Sequence, residues 1–229
     1  MFRRYLIFYL ILLASILTGC HRGANLPASV DAHHLKYDIE YMEEKAGDIP
    51  TKFLPGTMDA YYTRHHVYTK IEGFFSQFTL VQIADLKRKR VTTLLDFFGT
   101  HVCYTGQAGE LPAGIEEPEQ LDIRFTGDTM TIGGFLSERI TVETAETQFD
   151  IYSTREIRVR NPNISTPYQM VHYPLTDFRI QLSKLKMSLT CSNSRYEPID
   201  SNIFTIPSNY KPVNRATMEE IINNLFTKD

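Results

Sequence analysis

Alternation of apolar and polar residues is the main pattern of this chain. Apolar residues occupy every second position in 35–41, 178–182 and 185–191, and the positions between them are polar or charged. A period of two is typical of β-strands that bury one face. The sequence therefore predicts strands at these three places.

The segment 74–104 predicts an antiparallel meander. Runs rich in β-branched and aromatic residues span 78–83 and 91–98, and the charged segment 85–90 lies between them. A third such run, 101–104, follows Gly99. Strand-forming runs bounded by polar and glycine breaks indicate strands with tight connections. Similar short runs continue to residue 153, whereas 105–120 and the proline-rich 161–174 are predicted to be irregular.

One short amphipathic helix is predicted near the carboxyl end. Thr217 and Glu220 have capping-box spacing, and apolar residues fall at 218, 221, 222, 225 and 226. We expect its apolar stripe to pack on the sheet or on an open sheet edge. The alternative is a helix that binds a partner or a membrane surface.

The number of strands predicts the fold class. Ten or so short strands, one helix and no internal repeat indicate an antiparallel sheet that is curled or closed. Hydrophobic residues make up 42% of the 229 positions, which is enough for one core. We therefore expect a single mainly β domain over residues 34–229.

The first residues predict export. Arg3 and Arg4 form a positive region and residues 5–17 an apolar one that is too short to span a bilayer, so 1–19 is interpreted as a signal peptide. Residues 17–20, Leu-Thr-Gly-Cys, resemble the lipobox of bacterial lipoproteins. That resemblance implies cleavage before Cys20, acylation of Cys20 and a lipidated tether over 20–33. The alternative is an ordinary secretory signal with a chance cysteine.

Charge and cysteine content limit the partners. Without Arg3 and Arg4 the number of Lys and Arg residues falls from 24 to 22 against 27 Asp and Glu, a net charge of −5. An acidic chain argues against nucleic acid or anionic lipid head groups as the main partner. The other two cysteines of the chain are Cys103 and Cys191. Either a disulfide or two separate buried thiols fits their apolar surroundings.

No sequence motif indicates an enzyme. The chain has no nucleophile elbow, zinc-protease helix, phosphate-binding loop or dinucleotide fingerprint. Adjacent histidines at 33–34 and 65–66 point to opposite faces of a strand, so neither a metal site nor a cofactor is predicted. The acidic run 116–119 and the basic turn 87–90 are interpreted as solvated loops. A hydrolase with an unrecognised site is the minor alternative.

Beyond the lipobox, several segments resemble a family of outer-membrane lipoproteins of Bacteroidetes-type bacteria. They are Ile-Glu-Gly at 71–73, Thr-Leu-Leu-Asp at 93–96, Phe-Asp-Ile-Tyr at 149–152, Asn-Pro-Asn at 161–163 and the segment 204–210. That family is similar in turn to lipoprotein carriers of the LolA, LolB and LppX type. The resemblance implies a strongly curved antiparallel sheet, a half-open β-barrel with an apolar hollow covered by a helix. It also implies an outer-membrane location facing the periplasm, because no acidic residue follows directly after Cys20.

A strongly curved sheet predicts an apolar cleft suited to an acyl chain, provided that the helix covers it incompletely. With complete cover the same residues are only core. The candidate residues are Val91, Leu95, Phe97, Phe178, Ile180, Leu182, Leu185, Met187 and Leu189. The first functional hypothesis is a non-enzymatic envelope lipoprotein that binds an apolar ligand or assists lipid and lipoprotein handling. The second is an accessory subunit without a ligand cavity that docks on another envelope protein.

Overall fold

A computed structural model describes residues 28–47, 49–73 and 77–225. Over these residues the chain is mainly β, as the alternation predicted, with one short α-helix near the carboxyl end. The predicted signal peptide, Cys20 and the first part of the tether lie outside the described residues. The strands are β1 (Ser29–Tyr41), β2 (Lys45–Ala46), β3 (Ile49–Pro50), β4 (Thr57–Tyr62), β5 (His66–Gly73), β6 (Phe78–Asp85), β7 (Arg90–Phe97), β8 (Thr100–Thr105), β9 (Asp122–Ile132), β10 (Phe135–Glu143), β11 (Gln148–Thr154), β12 (Leu175–Leu182), β13 (Leu185–Asp200) and β14 (Lys211–Pro212).

Twelve of these strands form one sheet in the order β14-β8-β7-β6-β5-β4-β1-β13-β12-β11-β10-β9. β4 to β8 form one antiparallel meander and β9 to β13 another. β1 joins them because it pairs with β4 on one side and β13 on the other. The short β14 pairs with β8 in parallel, and β2 and β3 form a separate small sheet.

The sheet is open, which corrects the predicted strongly curved half-barrel. Its outermost strands are β14 and β9, and the sheet is neither closed nor strongly curled. Closure needs two edge strands that can pair along their length. β14 has only two residues, and the pairing of β9 with β10 shifts register between Glu138 and Ile140. Edge strands of this kind do not pair with each other to close the sheet.

The two faces of the sheet differ, and we name them here. The core face carries Leu35 and Tyr37, both with no exposed surface, and most of the apolar strand residues. The second face carries His34, Tyr61 and Tyr68 and has a small apolar cluster around Val81, Ile83, Leu94 and Cys103. Residues 201–210 cover part of the second face, where Phe204 and Tyr210 pack against that cluster.

The helix α1 (Arg215–Asn224) packs on the core face, as predicted. Met218 and Ile222 have no exposed surface, and Ile222 lies so close to the backbone of Gly114 that an added Cβ there would be 2.9 Å from it. The helix begins earlier than the predicted capping box, because the Asn214 side chain accepts a hydrogen bond from the Thr217 backbone N–H. Among the described residues, no helix is long and apolar enough to cross a membrane.

The structure also bears on the start of the domain and on the two cysteines. β1 begins at Ser29 and Ala32 is fully buried, so the domain starts within the predicted tether 20–33. Cys103 and Cys191 are both free and buried. They lie on opposite faces of the sheet, on strands separated by five others, so of the two alternatives the structure shows separate buried thiols and no disulfide between Cys103 and Cys191.

Candidate functional site

The structure brings the residues of the predicted cleft together on the core face. Seven of the nine are buried, and Phe97 and Ile180 are half-buried. Eight belong to the main core, either as buried members or packed against them, and Leu185 belongs to a small adjoining cluster. β7 and the β12–β13 hairpin supply these side chains because their alternating apolar positions face the same layer.

The cavity next to three of these residues, Leu182, Leu185 and Met187, is small. A cavity of about 20 Å³ lies between β5, β6 and the β12–β13 hairpin. A single water needs roughly 10–15 Å³ of such space, so this cavity has room for little more than one water molecule. It is lined by Tyr41, Leu54, Pro55, Ile71, Phe78, Leu80, Leu182, Leu185 and Met187.

A much larger groove lies beside helix α1, and we call it the α1 groove. Its volume is about 940 Å³, and its walls are the loop 109–121, the segment 167–170 and α1. Met170 in this groove is 68% exposed. The lining residues are Gly109, Glu110, Leu111, Gly114, Ile115, Glu116, Glu117, Leu121, Pro167, Gln169, Met170, Arg215, Glu219 and Asn223.

The α1 groove is acidic. Its one cation among the lining residues, Arg215, bonds to Glu110 and to the Leu111 carbonyl oxygen and pairs with Glu219 at 2.7 Å. The Gln107 backbone N–H, with help from Arg215 and the Tyr104 hydroxyl, holds the pKa of Glu110 below its usual value although burial opposes this. Glu116 and Glu117 are exposed and form no ion pair within the described residues. The groove therefore carries excess negative charge.

Polar side chains also surround His34 on the second face of the sheet, and we call this group the His34 cluster. His34 is 5% exposed. Its Nε2 lies 2.7 Å from Asp59 Oδ1, and its Nδ1 lies 3.0 Å from both Glu197 Oε1 and Arg195 Nε. Because Arg195 Nε donates to Nδ1, the ring proton is on Nε2 and is donated to Asp59. The Tyr61 ring stacks on the imidazole at 4.2 Å.

Burial raises the pKa of the Tyr61 hydroxyl, the charges of Asp59 and Glu197 raise it further, and Arg195 opposes them. The cluster is positioned by strand register: His34 lies opposite Tyr61 on β4 and opposite Arg195 on β13. Lys36, two residues along β1, lies directly opposite Asp59. Residues from three neighbouring strands, β1, β4 and β13, therefore meet at one polar site.

Sequence reasoning missed this cluster. The histidines were considered only as metal ligands, but His34 is buried and both of its ring nitrogens are hydrogen-bonded. Asp59 is 25 positions away and Glu197 is 163 positions away. No local pattern marks residues so far apart, and a histidine between charged neighbours in a strand was the only signal. Among the described residues, no group of three or more His, Cys, Asp and Glu side chains is arranged to hold a metal ion.

Comparison with known proteins shows likeness of fold only. No protein-family model and no curated protein matches the chain. Two crystal forms of PNGF-II, a peptide-N-glycosidase F II, are similar in structure. In space group P21 the TM-score is 0.55 at 10% identity, and the match covers 84% of this chain and 33% of that one. In space group C2 the values are 0.53 and 9%, with 85% and 33% covered. The chain therefore spans about a third of the length of that protein.

Proposed function

We propose that this protein is a non-enzymatic, lipid-anchored accessory protein of the outer membrane that faces the periplasm and docks on another envelope protein. The docking surface is the α1 groove, and the partner presents a basic segment to it. The observation that carries the proposal is the groove itself, about 940 Å³ of open space beside a helix whose other face is fixed in the core.

Volume favours docking over carriage of an apolar ligand. Ligand pockets usually have a volume of about 300–1,000 Å³ and a mainly apolar lining. The cavity lined by the candidate cleft residues Leu182, Leu185 and Met187 is about 20 Å³, while the lining of the larger groove includes four glutamates. An acyl chain gains nothing from carboxylates, because burying them without partners is unfavourable.

Charge decides the chemistry of the partner. Arg215 neutralises part of the charge of Glu110 and Glu219. Glu116 and Glu117 keep their charges exposed at the groove. A lysine- or arginine-containing segment complements this potential, and such complementarity speeds association and excludes acidic partners.

The test is site-specific photo-crosslinking in cells of the native host. A photo-reactive residue replaces Met170 in the full lipid-anchored chain, and crosslinked products are identified by mass spectrometry. We expect one discrete adduct with an envelope protein, joined through a basic segment. Combining the probe with Glu116→Lys and Glu117→Lys should reduce that adduct at least tenfold.

The matched control places the same probe at Met130, which is 47% exposed on β9 and is not part of the groove. No discrete adduct is expected there. The same adduct from both positions, no adduct from Met170, or an adduct that survives both charge reversals would overturn the proposal.

A further inference from the structure

The His34 cluster combines charge balance with unused hydrogen-bonding groups. Asp59 is bonded to His34, and Glu197 is paired with Arg195, each through one oxygen, and their side chains remain 39% and 32% exposed. Within the described part of the chain, Asp59 Oδ2, Glu197 Oε2 and the terminal nitrogens of Arg195 have no hydrogen-bond partner. The base of the site is therefore fixed while its outer atoms face solvent.

Positive and negative groups balance around the imidazole. Asp59 and Glu197 are opposed by Arg195, which pairs with Glu197 at 3.1 Å, and by Lys36 in register with Asp59. Next to them Lys70 is paired with Glu72. A site with no excess of either charge has no electrostatic preference for a polyanion or a polycation. Its selectivity must come from hydrogen bonds and shape.

Aromatic rings stand beside these polar groups. Tyr61 covers His34, Tyr68 meets Tyr61 edge-on at 5.9 Å, and Phe204 meets Tyr68 edge-on at 6.5 Å. Tyrosine offers a flat apolar body together with a polar hydroxyl. Among the described residues the hydroxyls of Tyr61 and Tyr68 have no hydrogen-bond partner. Aromatic rings next to balanced donors and acceptors match a ligand with both C–H faces and hydroxyl groups.

We propose that the His34 cluster is a binding site for a neutral saccharide chain. The carboxylate oxygens accept hydrogen bonds from sugar hydroxyls, Arg195 donates to hydroxyl or ring oxygens, and the tyrosines contact the apolar faces of the sugar rings. His34 is a positioning residue: it contacts no ligand but holds Asp59 directly and Glu197 through Arg195, which donates to the ring and pairs with that carboxylate. Such preorganisation lowers the entropy lost on binding.

This inference is independent of docking at the α1 groove, because it concerns different residues and a different readout. The intact protein, purified in detergent, is titrated calorimetrically with neutral hexasaccharides of glucose, mannose, galactose, xylose and N-acetylglucosamine. We expect at least one of them to bind with a Kd in the millimolar range or tighter. The double variant Asp59→Asn, Glu197→Gln keeps side-chain volume and should weaken that binding at least tenfold.

The control variant is Asp128→Asn, Glu146→Gln, which removes two exposed carboxylates on other hairpins. It should bind as the unmodified protein does. Circular dichroism of both variants checks that the fold is retained, and Tyr61→Ala provides a second test that leaves the charges unchanged and should also weaken binding. The proposal is overturned if no hexasaccharide binds, if both double variants bind equally well, or if heparin or polylysine binds more tightly than every neutral probe.

Discussion

Tyr37 is a polar residue at the centre of the core face. It has no exposed surface, and its hydroxyl donates a hydrogen bond to the Leu175 carbonyl oxygen at 2.7 Å. The Tyr62 hydroxyl lies 3.1 Å away. Burial, with contributions from neighbouring groups, raises the pKa of Tyr37 far above its usual value and that of Tyr62 to about 12. Both hydroxyls therefore stay protonated and act as neutral hydrogen-bonding groups between β1, β4 and β12.

Replacing Tyr37 with phenylalanine should destabilise the fold. Tyr37→Phe leaves the buried Leu175 carbonyl without this donor, which typically costs about 1–3 kcal/mol in the free energy of unfolding. Urea denaturation followed by circular dichroism measures the change. Tyr196→Phe, at a tyrosine that is 64% exposed, is the control and should change stability by less than about 0.5 kcal/mol. Equal effects of the two changes would contradict this account.

Glu110 predicts a pH dependence of stability. Its pKa is lower in the folded chain than in the unfolded chain, chiefly because the Gln107 backbone N–H donates to the carboxylate. The ionised form is thus favoured by folding. The contribution to stability is complete above the unfolded pKa and is lost as pH falls through the folded pKa.

Glu110→Gln should therefore lower the free energy of unfolding at pH 7 by about 1.5–3 kcal/mol, the usual range for hydrogen bonds to a charged group. The difference between the two proteins should shrink between about pH 5 and pH 3, because the unmodified protein then loses its ionised carboxylate. Urea denaturation at several pH values measures it. A difference that stays constant over this range would exclude the ionised carboxylate as the cause.

At the scale of elements, the β9–β10 turn shows how one hairpin is fixed against another strand. Gly133 has φ +58°, and a Cβ added there would lie 2.4 Å from Cys191 Sγ and 2.9 Å from the Cys191 carbonyl oxygen on β13. The neighbouring Gly134 has φ +88° but nothing within 4 Å of an added Cβ. Both glycines have a positive φ, but only Gly133 is in close contact with another strand.

Gly133→Ala and Gly134→Ala separate these effects. Both alanines strain a left-handed backbone, which costs of order 1–2 kcal/mol. Only Gly133→Ala also forces the turn away from β13, so we expect it to lower the thermal midpoint clearly more than Gly134→Ala does. Thermal unfolding monitored by circular dichroism compares them. Equal midpoints would show that contact with Cys191 is unimportant.

Local patterns were sufficient for most strands. The predicted runs 78–83, 91–98 and 101–104 correspond to β6, β7 and β8. The pair Gly127-Asp128 is typical of a turn between two short strands, but β9 continues through it with a shift in the register of its pairing with β10. Gly127 has φ +81°. Glycine at positive φ occurs in β-bulges as well as in turns, so the sequence alone does not distinguish a bulge from a turn here.

At the scale of the whole molecule, the amino-terminal anchor remains a prediction. If Cys20 carries acyl chains, two of them give stable membrane attachment. Cys20→Ala should release the protein into the soluble periplasmic fraction, because the apolar face of α1 packs on the core and is not free to bind a membrane. Fractionation followed by immunoblotting measures this, with Cys103→Ala as the control that should stay membrane-bound. Retention of the Cys20→Ala protein in the membrane would contradict the lipid anchor.

The mainly β composition, most strand positions and the final helix follow from the amino-acid sequence alone, because alternation and helical spacing are local properties of the chain. The sequence did not determine the curvature of the sheet or the place of its edges, which depend on pairing between distant strands such as β1 and β13. Whether the apolar residues of β7 and β12–β13 line a cleft or fill a core depended on how completely the layers meet. The His34 cluster likewise exists only because register places residues from three strands side by side.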